Sequence, residues 1–192
     1  MKRLFCLIGK SGAGKDTVFG ELLKRTSLIP VVTYTTRPMR SGETDGKEYH
    51  FVTDDVLKKL EIDNKIIEKR TYHTVHGDWN YFTCDIDFSL GEHHVMIGTP
   101  EVVKKLVKYY DDDMVVIIYL ELDDRKRLER CINRESEQKK PNYSEVCRRY
   151  LADEEDFSES EISLYKNLFR INSERSNEEN VAECVKIIKS FK

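Results

Sequence analysis

The chain has 192 residues, enough for one α/β domain with a substantial core, and 35% of them are charged. Its formal net charge of −3 excludes a global basic field for nucleic acid, so any phosphate site must gather its cations locally. No apolar segment is long enough to span a membrane. The five cysteines show no C-x-x-C spacing and are typical of a reducing compartment, so we expect a cytoplasmic protein with no nucleic-acid or membrane partner.

A glycine-rich loop connects the first predicted strand to the first predicted helix. The apolar run Leu4–Ile8 predicts a buried parallel strand, and apolar residues at helical spacing beyond residue 17 predict the helix. Glycines in such a loop let backbone N–H groups close around phosphate oxygens, and the helix N-terminus adds partial positive charge. We therefore predict a phosphate-binding loop, in which Lys15 reaches the β- and γ-phosphates of a nucleoside triphosphate. The residues expected to bind this nucleotide are Gly9, Lys10, Ser11, Gly12, Ala13, Gly14, Lys15, Asp16 and Thr17.

The position after Lys15 departs from the usual phosphate-loop pattern. Asp16 stands where Ser or Thr is expected, and Thr17 follows it. The complete spacing, Gly-x-x-Gly-x-Gly-Lys-x-Thr, resembles that of nucleoside monophosphate kinases, in some of which the later Thr serves the phosphates. The resemblance implies ATP as the phosphoryl donor, together with Mg²⁺. Asp16 supplies a carboxylate oxygen beside the loop and is the predicted magnesium ligand.

A positively charged loop follows the second predicted strand, Ile29–Tyr34. Over residues 35–51 it reads Thr-Thr-Arg-Pro-Met-Arg-Ser-Gly-Glu-Thr-Asp-Gly-Lys-Glu-Tyr-His-Phe. This order of residue types resembles the monophosphate-binding segment of guanylate kinases. The resemblance implies that Arg37, Arg40 and Tyr49 hold the phosphate of the monophosphate acceptor, and guanidinium forks with a phenolic hydroxyl suit a phosphate dianion. A solvated basic loop is the alternative.

Two extended segments, residues 65–73 and 79–83, follow a short predicted helix that begins near Asp54. They resemble the rest of the monophosphate-binding subdomain of guanylate kinases. Glu68 matches the glutamate with which that family reads the base. One carboxylate accepts from both adjacent donors of guanine, N1–H and N2–H₂, whereas adenine presents an acceptor at N1.

The second extended segment carries two further matches to the family. Tyr81 and Thr83 align with its Tyr-Gly-Ser/Thr, although Phe82 replaces the glycine, and Thr83 would donate to guanine O6. Thr33 falls where the family has another base-contacting hydroxyl, and an ordinary strand threonine is the alternative there. The resemblance thus implies that Thr33, Tyr81 and Thr83 join the acceptor site.

The next predicted strand, residues 93–98, lacks the Asp-x-Asp with which guanylate kinases usually end it. Thr99 occupies the second Asp position, and Glu101 follows as a substitute. This is the second departure in the expected magnesium site, and Asp16 is expected to compensate for it in part. Pro100 suits the first turn of the helix that follows.

A basic stretch follows the clearest buried strand of the chain, Met114–Leu120. The arginines and lysines of residues 127–149 flank a polar, proline-broken middle. In nucleotide kinases this position holds a lid that closes over the triphosphate and brings arginines to the transferring group. Arg134 and Arg149 are the predicted lid arginines. The alternative is a charged surface helix that pairs with the acids of residues 153–156.

The last predicted strand and helix complete the chain. Asn142-x-x-Glu145 predicts a helix start before them. The strand, residues 168–172, ends in Asn172, which matches a family position near the adenine of ATP. Apolar residues between 181 and 188 follow at i, i+3, i+4 and i+7, so the final helix is predicted to pack on the sheet.

Strands alternate with helices throughout the chain, which predicts a parallel sheet with helices on both faces. The resemblance to guanylate kinases implies an α/β fold, the three-layer α/β/α architecture of P-loop kinases with a parallel central sheet, a small monophosphate-binding subdomain and a helical lid. In a single guanylate-kinase-like domain of residues 1–192, the core would comprise residues 1–33, 93–126 and 160–192, the monophosphate-binding subdomain about 34–90 and the lid about 127–150.

The resemblance also implies the reaction, a phosphoryl transfer from ATP to GMP or dGMP with Mg²⁺. The altered acidic strand end and Phe82 leave room for a kinase of another deoxynucleotide or of a phosphoribose. A non-catalytic guanylate-kinase-like binding module is the other alternative. Glu68 and Thr83 favour a guanine acceptor, and the intact phosphate loop favours a kinase. The expected partners are ATP and GMP or dGMP, bound by a monomer or a homodimer.

Overall fold

The structure is a computed structural model that describes residues 2–40, 42–74, 77–90 and 92–191. The chain divides into a larger unit, residues 1–29 and 91–192, and a smaller unit, residues 30–90. Among the helices of the described ranges, none combines the length and the apolar character that crossing a membrane requires.

Strands and helices alternate along most of the chain, as the sequence predicts. The strands are β1 (Leu4–Ile8), β2 (Ile29–Pro30), β3 (Tyr34–Thr35), β4 (His50–Phe51), β5 (Ile66–Thr74), β6 (Gly77–Cys84), β7 (His94–Ile97), β8 (Val115–Glu121) and β9 (Leu168–Asn172). The helices are α1 (Lys15–Arg25), α2 (Asp54–Ile62), α3 (Pro100–Tyr110), α4 (Asp124–Ser136), α5 (Tyr143–Asp156), α6 (Glu159–Ile162) and α7 (Asn177–Lys189), with a 3₁₀ turn at Phe88–Leu90.

The larger unit is built on a five-stranded sheet with the order β2-β7-β1-β8-β9. β1 lies between β7 and β8 and is parallel to both, and β9 is parallel to β8. All five residues of β1 are buried. Because successive side chains of a strand point to opposite faces, both faces of the sheet must be covered. Phe5 and Leu7 share one core cluster with α1 and α7, and α3 contacts β8. The predicted α/β fold is therefore confirmed.

The second predicted strand, Ile29–Tyr34, is wrong as a single element. Ile29 and Pro30 form β2 in the five-stranded sheet, and β3 begins only at Tyr34, in a separate four-stranded sheet. Pro30 has no N–H to donate to a strand ladder, so the first strand ends there. Thr33 lies between the two strands, where its carbonyl accepts a hydrogen bond from His50 N–H (2.9 Å).

The smaller unit is a four-stranded sheet of order β4-β3-β6-β5, with the helix α2 between β4 and β5. β5 and β6 form its long antiparallel pair. Phe82 is fully buried and stacks on Tyr34 with 5.2 Å between ring centroids. Phe82 therefore fills the core of this unit. Ser41, in the predicted basic loop, lies outside the described residues.

The basic stretch of residues 127–149 occupies α4, a short connection and α5. The Asn142 side chain caps α5 by accepting from Glu145 N–H at 3.1 Å, in agreement with the predicted helix start. α4 and α5 pack against each other. None of the residues of α5 is fully buried, so this helix lies at the surface of the larger unit.

Candidate active site

The loop between β1 and α1 is shaped by glycines that no other residue can replace without strain. Gly12 has φ +86°, and a Cβ there would lie 2.7 Å from the carbonyl oxygen of Arg127 in α4. At Gly9 a Cβ would lie 2.8 Å from the carbonyl oxygen of Leu120. Both approaches are shorter than van der Waals contact, so the loop fits between β8 and α4 only because these side chains are absent.

Lys15 begins α1 and reaches back over this loop. Its Nζ donates to the carbonyl oxygens of Gly9 (2.5 Å) and Lys10 (3.2 Å). Burial lowers the pKa of Lys15, and the negative charges of Asp153 and Asp16 oppose that effect. Carbonyl oxygens thus hold the ammonium group at the loop. The oxygens of a phosphate group can replace these carbonyls as acceptors, because a charged acceptor binds a cation more strongly.

Acidic side chains of α5 contact the loop directly, which the sequence did not predict. The backbone N–H of Ser11 donates to Asp153 Oδ2 at 2.7 Å. Lys10 Nζ donates to Glu154 Oε1 at 2.8 Å and to Asp124 Oδ1 at 3.3 Å. A carboxylate oxygen therefore occupies a loop N–H of the kind that binds phosphate oxygens.

Arg127 holds these acids in place. Its guanidinium is fully buried, pairs with Asp124, Glu154 and Asp153 (3.5 Å for the last), and lies over the ring of Tyr150 at 3.7 Å. The sequence alternative of a charged helix that pairs with the acids of residues 153–156 describes Arg127 correctly. Its burial removes it from the set of arginines available to a ligand.

A cavity of about 580 Å³ opens in front of the loop. Arg134 and Arg149, the predicted lid arginines, both line it, and so does Arg130, whose Nη1 donates to Gly12 O at 3.3 Å. The full set of lining residues is Ser11, Gly12, Gly14, Lys15, Asp16, Thr17, Arg130, Arg134, Arg149 and Asn177. Three arginines from two helices thus lie at the glycine-rich loop, and this concentration of positive charge suits a polyphosphate.

Some residues predicted for the nucleotide are not among those that line this cavity in the described part of the chain. Gly9 and Ala13 are buried in the loop, and Lys10 is engaged by acids as described. The side-chain oxygen of Asn172 accepts from Glu174 N–H at 2.9 Å. Asn177 lines the cavity instead, and no sequence signal distinguishes it from the other polar residues that begin a helix.

The carboxylates available to a metal ion are few. Asp16 and Thr17 are exposed and line the cavity, whereas the Thr99 side chain caps α3 and Glu101 pairs with Lys105 at 2.7 Å. Within the described ranges, no group of three or more His, Cys, Asp and Glu side chains could hold a metal. Mg²⁺ in phosphate sites usually needs only one or two protein carboxylates and takes its other ligands from water and phosphate. Asp16 fits that requirement.

In the smaller unit, the Arg37 guanidinium is engaged by a carboxylate. It is 4% exposed and donates to both Glu43 oxygens, at 2.7 and 2.5 Å. The hydrogen bonds from Arg37 lower the pKa of Glu43 to about 2. The ring of Tyr49 lies 5.3 Å from the same guanidinium, and Tyr49 packs edge-on against Tyr81 at 5.5 Å. Arg40 is exposed, and its N–H donates to Glu43.

The predicted base-reading residues meet across two neighbouring strands. Glu68 on β5 pairs in register with Thr83 on β6, and both side chains are buried. The Thr83 hydroxyl donates to Glu68 Oε1 at 2.7 Å, and Arg70 Nε donates to Glu68 Oε2 at 3.2 Å. A buried carboxylate with two donors can exchange one of them for the donors of a base, which is what reading guanine requires.

Comparison with known proteins gives one consistent family. The family model described as guanylate kinase matches residues 1–167. The chain is 48% identical over 68 residues to a guanylate kinase of Thermobifida fusca, which is 35% of either chain. It is 38% identical over 82 residues to a guanylate kinase of Thermotoga maritima, 42% of this chain and 40% of that one. These matches span between about a third and two fifths of the relatives' length.

A solved structure agrees in fold over nearly the whole chain. The crystal structure of guanylate kinase from Anaplasma phagocytophilum superposes with a TM-score of 0.67. The superposition covers 98% of this chain and 85% of the other, at 18% sequence identity.

Proposed function

The chain belongs to the guanylate kinase family, and on this basis we propose that it transfers the γ-phosphoryl group of ATP to GMP or dGMP. The observation that carries the proposal is the buried pair of Glu68 and Thr83, because a carboxylate beside a hydroxyl complements the N1–H, N2–H₂ and O6 edge of guanine. The glycine-rich loop and the three arginines beside it support the proposal, since they would bind the triphosphate.

The triphosphate would be bound by the loop and by the cavity arginines. Backbone N–H groups of the loop and Lys15 would bind its β- and γ-phosphates, and Arg134 and Arg149 would stabilise the charge that spreads over the transferring group. Mg²⁺ would neutralise part of the phosphate charge, held by Asp16 with Thr17 beside it. We propose residues 127–150 as the lid that brings these arginines to the phosphates.

The acceptor would be bound by residues 34–90, the proposed monophosphate-binding subdomain. Arg37, Arg40, Tyr49 and Tyr81 would hold its phosphate, and Glu68 would take the two guanine donors. The Thr83 hydroxyl is a rotor, so it can turn from Glu68 to guanine O6 once the base occupies the carboxylate. The proposal does not depend on Thr33 or Asn172. The Thr33 carbonyl accepts from His50 N–H, and the Asn172 side chain accepts from Glu174 N–H.

Catalysis in this scheme comes from position and charge. Phosphoryl transfer needs the acceptor oxygen in line with the γ-phosphorus, and no covalent intermediate with the protein is required. We also propose a cytoplasmic location and a monomeric or homodimeric state. The location is supported by the five cysteines, all of which are free thiols.

The direct test measures ADP formation from ATP and Mg²⁺ with each nucleoside monophosphate in turn, for the wild type and for Glu68→Gln. We expect turnover on GMP or dGMP, and a fall in kcat/KM of about 10- to 100-fold in the variant, because one bidentate base contact is worth about 1–3 kcal/mol. Asp55→Asn, which removes an exposed carboxylate of the same unit, is the matched control and should leave kcat/KM unchanged.

The other outcomes have definite meanings. Turnover on a different acceptor would overturn the guanine assignment and keep the phosphate loop. ATP binding without turnover on any monophosphate would overturn the assignment as a nucleoside monophosphate kinase and leave a kinase of another acceptor, such as a phosphoribose, or a binding module.

A further inference from the structure

Arg70 occupies a position between the proposed base-reading and phosphate-holding residues of the smaller unit. It follows Glu68 by two residues on β5, so both side chains leave the strand on the same face. Across the sheet it pairs in register with Tyr81 on β6. Tyr81 in turn contacts Tyr49, with 5.5 Å between ring centroids. On this face Arg70 therefore lies next to Glu68 along β5 and opposite Tyr81 on β6, and Tyr49 packs against Tyr81.

Arg70 interacts with both Glu68 and Tyr49. Its Nε donates to Glu68 Oε2 at 3.2 Å. Burial raises the pKa of the Tyr49 hydroxyl, and the positive charges of Arg37 and Arg70 oppose that rise. The charges of Arg37 and Arg70 thus both act to lower the pKa of Tyr49. Only Arg37 belongs to the motif that the sequence identifies.

Arg70 also has more hydrogen-bonding capacity left than Arg37. A guanidinium carries five N–H donors. Arg37 spends both terminal nitrogens on Glu43, and one of them also donates to the carbonyl of Pro38. Among the described residues, the Nε bond to Glu68 is the side-chain hydrogen bond that Arg70 makes, so its terminal nitrogens remain available. The Arg70 side chain is 24% exposed, so a ligand can reach it.

We propose that Arg70 is a further binding residue for the monophosphate acceptor, in which Nε–H fixes Glu68 and the terminal N–H groups donate to the acceptor's phosphate dianion. This inference rests on the proposed function and adds a contact to the same site. One planar group would then connect base reading to phosphate binding, and an arginine is suited to this because its donors have a fixed geometry.

Two ligands separate this role from a purely structural one. GMP carries the phosphate dianion and guanosine lacks it, whereas both present the same base to Glu68. Binding of each is measured by ligand-observed NMR, which also detects millimolar affinities, for the wild type and for Arg70→Gln. We expect the variant to bind GMP about 10- to 100-fold more weakly, the range of charge-assisted hydrogen bonds. Guanosine binding should weaken much less, because the Gln amide can still donate to Glu68.

Two further variants control the interpretation. Lys69→Gln removes a cation from the neighbouring position of the same strand, whose side chain pairs with Glu61, and should change neither affinity. Arg70→Lys keeps the charge without the planar fork and should retain part of the GMP affinity. It also supplies a folded comparison if Arg70→Gln melts at a lower temperature.

The contrary results are distinct. Equal weakening of GMP and guanosine would show that Arg70 acts only through Glu68, and unchanged affinities would remove it from the site, so either result overturns the inference alone. A wild type that binds no GMP would overturn the proposed function and this inference with it.

Discussion

The guanidinium of Arg127 is fully buried, whereas its partners Asp124 and Glu154 are 50% and 40% exposed. Replacing Arg127 with Met removes the buried cation that the acids of α4 and α5 share and leaves Asp124 and Glu154 paired with Lys10. We expect the free energy of unfolding in urea to fall by about 2–4 kcal/mol, somewhat below the cost of breaking a fully buried pair because the acids can still be hydrated. Arg125→Met on the same helix breaks an exposed pair with Glu129 and should cost less than about 1 kcal/mol. Equal losses would contradict the structural role of Arg127.

The pair of Arg37 and Glu43 gives a pH-dependent stability. Arg37 lowers the pKa of Glu43 from its ordinary 4.5 to about 2 in the folded state. A lowered folded pKa stabilises the protein above the unfolded pKa, and the stabilisation is lost as pH falls from 4.5 toward 2. The difference in unfolding free energy between wild type and Glu43→Gln should therefore be constant above pH 5 and narrow below pH 4.5. A difference that stays constant down to pH 3 would show that Glu43 is not paired in solution.

Residue patterns predict the Glu68 and Thr83 pair better than they predict the arginines. Both residues are assigned through the family resemblance of two extended segments, and the antiparallel register of β5 and β6 then places them opposite each other. Arg127 and Arg70 each look like ordinary charged positions in the sequence. Whether a charge on a helix or strand is buried depends on the element that packs on it, and composition does not contain that information.

The helix α5 contributes a contact that would compete with the proposed nucleotide, since Asp153 accepts the Ser11 N–H at 2.7 Å. Asp153→Asn removes a negative charge from the triphosphate site and keeps the side-chain size. We expect the dissociation constant for ATP to fall about threefold to tenfold, because one charge pair near a protein surface contributes roughly a kilocalorie per mole or more. The measurement is ATP titration of wild type and variant, with Glu155→Gln, an exposed acid of the same helix, as the control. Weaker ATP binding by Asp153→Asn would show that this carboxylate shapes the loop for the nucleotide.

At the level of elements, the sequence predicts most strands and helices to within a few residues. β1 and β9 have the predicted bounds, and the capped starts of α2 and α5 follow from Thr53 and Asn142 side chains that accept backbone N–H groups. The exception is the segment from Ile29 to Tyr34. Its β-branched residues indicate a strand, but Pro30 interrupts the ladder and the two halves join different sheets.

At the scale of the whole molecule, the two proposed ligand sites are built from different units. Lys15→Met removes a cation of the larger unit. ATP at 100 times its dissociation constant should stabilise the wild type by about 2.7 kcal/mol and the variant by much less, whereas stabilisation by GMP should persist. Thermal melts with each ligand test this, and loss of GMP stabilisation in the variant would contradict separate sites.

The order of elements along the chain has a consequence for how the molecule forms. β1 pairs with β7 and β8, and its first residue, Leu4, meets His94 and Val115 as partners. The smaller unit, residues 30–90, is one continuous segment that lies in the sequence between β1 and these two partner strands. During synthesis from the N-terminus, residues 30–90 can complete their own contacts while β1 has no neighbour to join. Since closing a long loop costs entropy before any contact repays it, assembly of the central sheet should be the slow step of folding.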